Sequence, residues 1–535
     1  MYTRRALGVA LALTILMLLA GGPVAAQRAV VIHEENHGLS APMRTMPYKP
    51  LTGRRALEQA RIPNAHPPSM EDVTYDPGLQ EKAYPLVNTT PGLKLLGLGV
   101  GFPGITSDTY APPDTNAAVG ATQIVETVNT VFAVFDKATG AIVAGPASLG
   151  NLWNGVDANC AGTSTQFTDP VVVYDQQAGR WVIQLITESS PFKICMAVST
   201  TSDATGTYNA YAFIDPAGLP DYDKLAVWTD AYYTSVRQFN ANETEFLGPN
   251  ACASDRTAML TGSAATMQCV QITNSGLDGM LPANLDGATP PPAGSPEYFL
   301  LIPLPDAGTA STLQLYQFHY VSGGGSTLTG PATITVNKYK EASSFGGFVP
   351  QLGTTQKLDG LGYALMHRLA YRNFTGTNPH ESLVVTHNVA MGSGSTLRYA
   401  PRWYEIRSPG TTPVVYQQGT YSPDTTTYRW TGSIAMDKAG NIALGYSVSS
   451  PTISPGIRYT GRTPSQTLGK MQGESTILSG AGSQEGFLDR WGDYSSMAID
   501  PSDDCTFWYA NEYLQSTGSF NWSTSLFSFK FPSCR

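Results

Sequence analysis

The sequence has 535 residues, a formal net charge of −9 at pH 7 and only 14% charged residues, with 53 Gly and 38 Pro. Such a chain lacks the basic stripe that binds phosphate backbones, so nucleic acid is excluded as a partner. Low charge, abundant glycine and proline, and frequent Thr, Val and aromatic residues favour strands over helices, and we expect an all-β architecture.

Residues 1–26 have the pattern of a signal peptide. Arg4 and Arg5 precede an apolar run over residues 6–20, and Val24-Ala25-Ala26 supplies small residues for cleavage. That run is shorter than the ~20 residues that span a bilayer, and no later stretch is apolar for such a length. We therefore expect a secreted protein, extracellular or periplasmic, without a transmembrane anchor.

Residues 27–91 are rich in proline, as in RIPNAHPPSM, and we interpret them as an extended leader. From residue 92 to residue 535, alternating apolar runs are bounded by Gly, Pro, Asn and Asp, which is the pattern of hairpins. We take this second part as a single domain.

A repeat runs through the domain. YRWTGSIAMDKAGNIALGYSVSS (428–450) and DRWGDYSSMAIDPSDDCTFWYANEY (489–513) share a strand, an Asp-led turn and a second strand, and weaker copies begin near residues 112, 169, 221, 297 and 366. Their spacing of roughly 50 to 75 residues is typical of four-stranded propeller blades. We predict a β-propeller of about seven blades, with six or eight as alternatives. A pair of β-sandwich domains would leave the repeated turn unexplained.

The mature chain holds an even number of cysteines, without the C-x-x-C spacing of a zinc or redox site. We expect three disulfides, with nearest-neighbour pairing as the working choice, among Cys160, Cys195, Cys252, Cys269, Cys505 and Cys534. No metal or cofactor is expected. A structural calcium near Asp500, Asp503 and Asp504 is the alternative to a plain acidic turn.

Several long phrases, among them APPDTNAAVG, TDPVVVYDQQAGRW, DYDKLAVWTDAYY and DRWGDYSSMAIDPSDDCTFWYANEY, resemble a largely uncharacterised family of secreted bacterial proteins. The resemblance extends from about residue 111 to residue 513. It implies a propeller fold and no particular reaction.

A second resemblance is to the Asp-box of sialidase-like propellers. It rests on Thr201, Asp203, Gly206, Thr207 and Tyr208, although the spacing between the Asp and the Tyr departs from the box. The resemblance implies a blade hairpin whose Asp caps the turn, remote from any catalytic centre.

Arginines are concentrated in the last part of the domain. Guanidinium groups that converge near a propeller axis would bind the carboxylate of a sialic or uronic acid. The alternative is that they pair with Asp-led turns and stack on aromatic rings, which would fasten the blades together. The anion-binding candidates are Arg368, Arg372, Arg402, Arg458 and Arg490.

The catalytic candidates are residues that break the repeat. Asp493 and Tyr494 stand where the sister repeat has no acid, and His367 and His387 lie, with His380, in one predicted blade. Such groups supply an acid, a base or a nucleophile. Most other acids occupy equivalent repeat positions, which favours turn capping for Asp114, Asp169, Asp221, Asp223 and Asp437.

Two classes of function remain open. In the first, the protein binds or cleaves an acidic extracellular glycan at the propeller centre, as a sialidase-like glycoside hydrolase or a polysaccharide lyase if it is an enzyme. In the second, it is a non-catalytic interaction or adhesion scaffold with a glycan or protein ligand. We expect a monomer in either case. Convergence in space of Asp493 and the three histidines would favour the first class.

Overall fold

The computed structural model describes residues 26–48, 56–57, 76–82, 98–106, 110–162, 167–303, 309–342, 347–362, 364–393 and 396–535. The predicted signal peptide, except Ala26, and much of the predicted leader lie outside these ranges. Nearly all described elements are strands; the exceptions are helix α1 (Arg256–Thr261) and two 3-10 turns (Met43–Thr45 and Leu149–Trp153). None of the described helices is long and apolar enough to cross a membrane.

Seven strands precede the first complete repeat. They are β1 (Gln27–Arg28), β2 (Val30–His33), β3 (Asn36–Leu39), β4 (Ala56–Leu57), β5 (Leu79–Gln80), β6 (Leu98–Thr106) and β7 (Tyr110–Ala111). Strands β4 and β7 form a small parallel pair.

The remaining strands form successive antiparallel units. Unit 1 has β8 (Asn116–Val119), β9 (Gln123–Val128), β10 (Val131–Asp136) and β11 (Ile142–Ser148). Unit 2 has β12 (Phe167–Asp175), β13 (Arg180–Thr187), β14 (Lys193–Ser199) and β15 (Tyr208–Ile214). Unit 3 has β16 (Pro220–Val227), β17 (Tyr232–Phe239), β18 (Phe246–Ser254) and β19 (Thr266–Gln271).

Unit 4 has β20 (Leu277–Leu285), β21 (Glu297–Pro303), β22 (Thr309–His319) and β23 (Thr327–Glu341). Unit 5 has β24 (Leu365–Phe374), β25 (His380–Met391), β26 (Arg398–Arg407) and β27 (Val414–Tyr421). Unit 6 has β28 (Tyr428–Met436), β29 (Ile442–Ser450), β30 (Ile453–Arg462) and β31 (Ser475–Leu478). Unit 7 has β32 (Ser496–Ile499), β33 (Thr506–Leu514) and β34 (Trp522–Lys530), and β6 is its fourth strand.

The units close into a ring. Each first strand lies beside the first strand of the next unit, and β32 of unit 7 lies beside β8 of unit 1. The pairing of β34 with β6 joins the C-terminal end of the domain to its beginning. The all-β propeller prediction is confirmed. The hydrogen-bonded sheets are fewer than the units, because the parallel pair β20–β24 merges units 4 and 5 into one ten-stranded sheet.

The start of the predicted leader adds edge strands to three units. Strand β1 pairs with β23 of unit 4, β2 with β19 of unit 3, and β3 with β15 of unit 2. Farther along, β5 pairs with β27 of unit 5. These segments are extended and satisfy main-chain groups that the outer strands would otherwise leave unpaired.

The first strands share a distortion that positions the site. Strands β12, β16, β20 and β28 each carry a register shift next to a residue with positive φ: Asp169 (54°), Tyr222 (52°), Gly279 (59°) and Thr431 (48°). At Gly279 no side chain would fit, because an added Cβ would lie 2.6 Å from the Cα of Ala364. Bulges redirect neighbouring side chains, and repetition in successive units directs them toward one region of the axis.

Candidate active site at the propeller axis

Buried carboxyl groups from different units meet around the axis. The side chain of Asn129 donates to the Asp114 carboxylate (2.7 Å), and its carbonyl oxygen accepts from the main-chain N–H of Asp169 (3.0 Å). The main-chain N–H of Asp493 donates to Asp114 at 2.7 Å. Units 1, 2 and 7 therefore share one hydrogen-bonded network. Charged and aromatic groups from these and other units contact or interact with it, and we call the whole set the axial cluster: Asp114, Asp169, Asp221, Tyr222, Asp223, Lys224, Arg237, Asp278, His367, Arg490, Asp493, Tyr494 and Glu512.

Several acids of the axial cluster have raised pKa values. Burial, and then the charges of Asp114, Asp221, Asp223 and Asp493, raise the pKa of Asp169 well above its ordinary value. Burial also raises the pKa of Asp223 to about 7 and that of Glu512 well above its usual range. Several carboxylates in a site with little water cannot all be ionised, so some retain their protons at neutral pH.

Cations lie among these acids. The Lys224 ammonium lies 3.3 Å from the ring centroid of Tyr222 and 4.4 Å from that of Tyr494, and burial lowers the pKa of Lys224 to about 8. The guanidinium of Arg490 pairs with Asp493 (2.6 Å) and approaches Asp359 (3.4 Å). Each cation therefore has aromatic or carboxylate neighbours that offset its burial.

His367 belongs to the axial cluster and is neutral. Its ring centroid lies 5.9 Å from that of Tyr494. Burial, followed by the charges of Lys224 and Arg368, lowers the pKa of His367 well below its ordinary value. Four predicted site residues, His367, Arg490, Asp493 and Tyr494, are therefore close neighbours.

The backbone in and beside the axial cluster carries strain. Asp114, Asp169 and Tyr222 of the cluster, and Thr431 beside it, have left-handed backbone conformations. For residues other than glycine such conformations cost on the order of 1–3 kcal/mol each, and they occur preferentially at functional sites. Thr431, whose main-chain oxygen accepts from Ser495 of unit 7 (2.9 Å), is an unfavourable case because it is β-branched.

Beside the axial cluster, two arginines of β24 bridge unit 5 to other parts of the ring. Arg368 pairs with Asp286 (2.6 Å) and donates to the main-chain oxygen of Met497 (2.9 Å). Arg372 pairs with Asp504 at 2.7 Å and donates to a main-chain oxygen in unit 6. The cavity beside Arg368 has about 40 Å³, which is enough for a few water molecules but not for a sugar.

The other predicted site residues make contacts elsewhere. Arg402 is fully buried and pairs with Asp76 at 2.7 Å, and Arg458 pairs with Glu474 at 2.7 Å. His387 lies 3.0 Å from the hydroxyl of Tyr404 and packs against a second tyrosine ring, and burial lowers its pKa to about 3.

The third histidine of the same unit, His380, lies apart from the axial cluster. Its ring stacks on Phe374 at 4.6 Å between ring centroids. Of the three histidines expected to converge, His367 alone joins Asp493.

The cysteines form disulfides, and the acidic loop at residues 500–504 forms ion pairs. Disulfides join Cys160 to Cys195, Cys252 to Cys269 and Cys505 to Cys534, which is the nearest-neighbour pairing. In the loop considered for calcium, each carboxylate pairs with a different cation: Asp500 with Lys137, Asp503 with Lys530 and Asp504 with Arg372. Within the described ranges, no group of three His, Cys, Asp or Glu side chains is arranged to hold a metal ion.

The Asp-box-like segment forms a capped turn. Asp203 accepts hydrogen bonds from the main-chain N–H of Thr205 (2.9 Å) and from the side chain of Gln123 (2.9 Å). It lies between β14 and β15 of unit 2. Its carboxylate therefore stabilises a hairpin.

Sequence reasoning missed several members of the axial cluster. Lys224, Arg237, Asp278 and Glu512 were not candidates, yet Arg237 forms a buried ion pair with Asp278 at 2.8 Å. Asp114 and Asp169 were interpreted as turn caps because they repeat. Repetition was the available signal, since equivalent positions of first strands converge at a propeller axis.

No protein-family model matches the chain, and no curated protein sequence matches it. Among solved structures, an exo-beta-1,3-galactanase from Clostridium thermocellum is similar over 75% of this chain and 79% of its own, with 10% identity and a TM-score of 0.30. The WD40 domain of SCAP from fission yeast is similar over 81% and 98%, with 9% identity and a TM-score of 0.36. An endo-1,5-alpha-L-arabinanase from Thermotoga petrophila is similar over 78% and 98%, with 10% identity and a TM-score of 0.28. Likenesses at this level carry no argument about chemistry.

Proposed function

We propose that the protein is a secreted glycoside hydrolase whose active site is the axial cluster. One observation carries the proposal: Asp169, a buried carboxyl group whose pKa is raised well above its ordinary value, lies in one hydrogen-bonded network with Asp114, whose carboxyl group accepts two N–H donors. Hydrolysis of a glycosidic bond needs such a pair, one group to give a proton and one to receive it.

In the proposed reaction, Asp169 gives its proton to the glycosidic oxygen as the bond between that oxygen and the anomeric carbon breaks. A water oxygen bonds to the anomeric carbon, and Asp114 takes the proton that the water loses. Asp493 orients Asp114 through its main-chain N–H, while Arg490 keeps the Asp493 carboxylate in place. The step consumes one water and needs no cofactor.

The charge of the cluster favours a neutral sugar over the acidic one expected from the sequence. Carboxyl groups outnumber cations there, and Arg368 and Arg372 are already neutralised by Asp286 and Asp504. A carboxylate on the substrate would meet repulsion without a free partner. The same argument favours hydrolysis over β-elimination, because a lyase must neutralise the uronate carboxylate.

The proposed substrate entrance lies beside two loops that meet next to Arg490. The main-chain N–H of Asp359 donates to the oxygen of Asp489 (2.7 Å). The side chain of Gln351 donates to the main-chain oxygen of Gln484 (3.0 Å) and accepts from its main-chain N–H (2.7 Å). A groove of about 510 Å³ runs along these loops, and Phe487, 95% exposed, lines it. An exposed aromatic ring offers a stacking surface for the apolar face of a sugar.

Secretion is part of the proposal. Its support is the predicted signal peptide together with three disulfides, which persist in oxidising compartments.

The test is sugar release by the purified mature protein from a panel of neutral and acidic polysaccharides. We expect reducing ends from a neutral glycan, and Asp169→Asn should lower the rate by about 100-fold or more, as the loss of a general acid does. Asp136→Asn is the matched control, since Asp136 caps an exposed turn and its replacement should leave the rate unchanged. Full activity in a folded Asp169→Asn variant, or no release from any substrate, would exclude the proposal.

The burial of the cluster supports a second candidate, the non-catalytic scaffold. Axial acids such as Asp114, Asp169 and Asp493 are at most 4% exposed. In this alternative the network only holds the units together. Glycan binding without sugar release, unaffected by Asp169→Asn, would favour it.

A further inference from the structure

A separate cleft lies between units 5 and 6, away from the axial cluster. It has about 620 Å³ and is lined by the end of β24, by β26 and β27, by the turn after β28 and by the end of β30. We call it the lateral cleft. Its chemistry-bearing residues are His380, Glu405, Arg407, Tyr416, Lys438 and Arg462.

Glu405 is the one carboxylate among these residues, and both of its oxygens already accept hydrogen bonds. One oxygen of Glu405 accepts from Arg407 (2.6 Å) and Ser382 (2.9 Å), and the other accepts from Gln417 (2.5 Å). Glu405 therefore neutralises Arg407 and has little capacity left for another cation. Lys438 is exposed and donates to a main-chain oxygen. The cleft is thus cationic in a chain whose net charge is −9.

Arg462 is the distinctive residue of the cleft. Arg462 is 1% exposed. One terminal guanidinium nitrogen donates to the main-chain oxygen of Gln466 (2.8 Å), whereas the Nε has no hydrogen-bond partner. Burial lowers the pKa of Arg462. The charge of Glu405 acts on Arg462, but Glu405 is hydrogen-bonded by Arg407, and no ion pair between Glu405 and Arg462 is formed. A buried guanidinium without an ion-pair partner is costly, and a ligand carboxylate would supply one.

The turn below Arg462 is fixed in place. The side chain of Gln466 accepts from the main-chain N–H of Thr463 (2.9 Å), and its main-chain N–H donates back to the Thr463 oxygen (3.1 Å). The Arg462 side chain is therefore held before a ligand arrives, which reduces the entropy lost on binding.

Aromatic rings lie beside these cations. Tyr416 is 41% exposed, and the Arg407 guanidinium lies 3.3 Å from its ring centroid. The stacked pair of Phe374 and His380 lines the same cleft. Flat rings next to a guanidinium suit a sugar that carries a carboxylate, because the apolar face of the sugar packs on a ring while the acid pairs with arginine.

We propose that the lateral cleft binds a uronic acid residue of an acidic glycan, with Arg462 as the partner of its carboxylate. The site is distinct from the axial cluster and does not depend on whether that cluster cleaves sugars. The sequence predicted acidic-glycan binding at the propeller centre, and this proposal places it in the lateral cleft instead.

The test is calorimetric titration of the mature protein with galacturonate trimer, with neutral galactose trimer and with acetate. We expect the galacturonate trimer to bind at least about tenfold more tightly than either of the others, as one charge-assisted contact implies. Equal binding of the neutral trimer would overturn the role of charge. Equal binding of acetate would overturn the role of the sugar ring.

Variants identify the residue. Arg462→Gln should weaken galacturonate binding by about tenfold, and Lys438→Gln, at an exposed position that folding does not require, by a smaller factor. Arg44→Gln is the matched control, because this exposed arginine lies 3.9 Å from Asp203 in unit 2. Unchanged affinity in both cleft variants would exclude the proposal. Sugar release can be measured on the same variants, so that a failed cleft and a failed active site are told apart.

Discussion

The axial cluster and the lateral cleft both contain arginines and carboxylates, but the arginines differ in whether a carboxylate of the protein pairs with them. At the axis, Arg490 has carboxylate partners, and Arg368 beside it pairs with Asp286. In the cleft, Glu405 pairs with Arg407, and the described hydrogen bond of Arg462 goes to a main-chain oxygen and not to a carboxylate. The comparison shows that residue type alone does not locate a ligand site. What distinguishes a structural arginine from a ligand-binding one is whether the fold already supplies its counter-charge.

The largest expected effect is on the free energy of unfolding, and it should distinguish a buried arginine with a carboxylate partner from one without. Arg402→Ala would leave the buried carboxylate of Asp76 without its partner, so we expect a loss of about 3–5 kcal/mol in the free energy of unfolding. Arg462→Gln removes a guanidinium that has no carboxylate partner, and the loss should be below about 1 kcal/mol. Urea unfolding monitored by tryptophan fluorescence measures both.

Similar losses for the two variants would show that the fold neutralises Arg462 as fully as Arg402, and the lateral cleft would lose its distinguishing feature. Arg402→Lys is a useful companion. It retains the charge but loses the second guanidinium nitrogen, which donates to Gln418 (2.7 Å) and to the main-chain oxygen of Asn337 (3.1 Å). Its stability should therefore fall between those of wild type and Arg402→Ala.

The fold was predictable because its signal is local and repeated. The Asp-led turn recurs in the sequence, and in the structure Asp437 caps such a turn by accepting from the N–H groups of Ala439 and Asn441, both at 2.9 Å. The same reasoning misjudged Asp114 and Asp169. Their repetition reflects first strands that converge at the axis, and only the bulges show which way the side chains turn.

Other contacts join residues that are far apart in the sequence, so no local sequence pattern predicts them. Arg402 meets a carboxylate 326 residues away in the N-terminal segment, and Gly492 donates to Glu512 across unit 7. Asp493 and Tyr494 were identified because they depart from the sister repeat; Tyr494 lies beside His367, and Asp493 pairs with Arg490. Lys224 had no such signal, because its importance comes from burial between two tyrosine rings.

The second expected effect is on pH dependence and concerns the axial acids. Burial raises the pKa of Asp223 to about 7, so between its ordinary value and pH 7 the folded protein holds a proton that the unfolded chain has lost. Stability should therefore fall as pH rises through this window, with a contribution of up to about 1.4 kcal/mol per pH unit from this group. Asp223→Asn should remove that contribution.

The measurement is the free energy of unfolding at several pH values between 5 and 7 for wild type and Asp223→Asn. Asp136→Asn serves as the control, because its hydrogen bonds lower the pKa of Asp136, which keeps its titration below this window. Parallel curves for wild type and Asp223→Asn would show that Asp223 is ionised and solvated, contrary to a closed axial cluster.

The smallest effect concerns the exposed ring near the proposed entrance. Phe487 is 95% exposed and has a φ of 64°, so Phe487→Gly relieves backbone strain without loss of buried surface and should stabilise the fold by about 1 kcal/mol.

If the ring stacks on substrate, the same change should raise KM for a glycan while leaving kcat nearly constant, since such binding is uniform along the reaction. Phe487→Tyr, which retains the ring, should retain the wild-type KM. Galacturonate affinity at the lateral cleft should not change in either variant, and a parallel loss there would mean that the two regions are not independent.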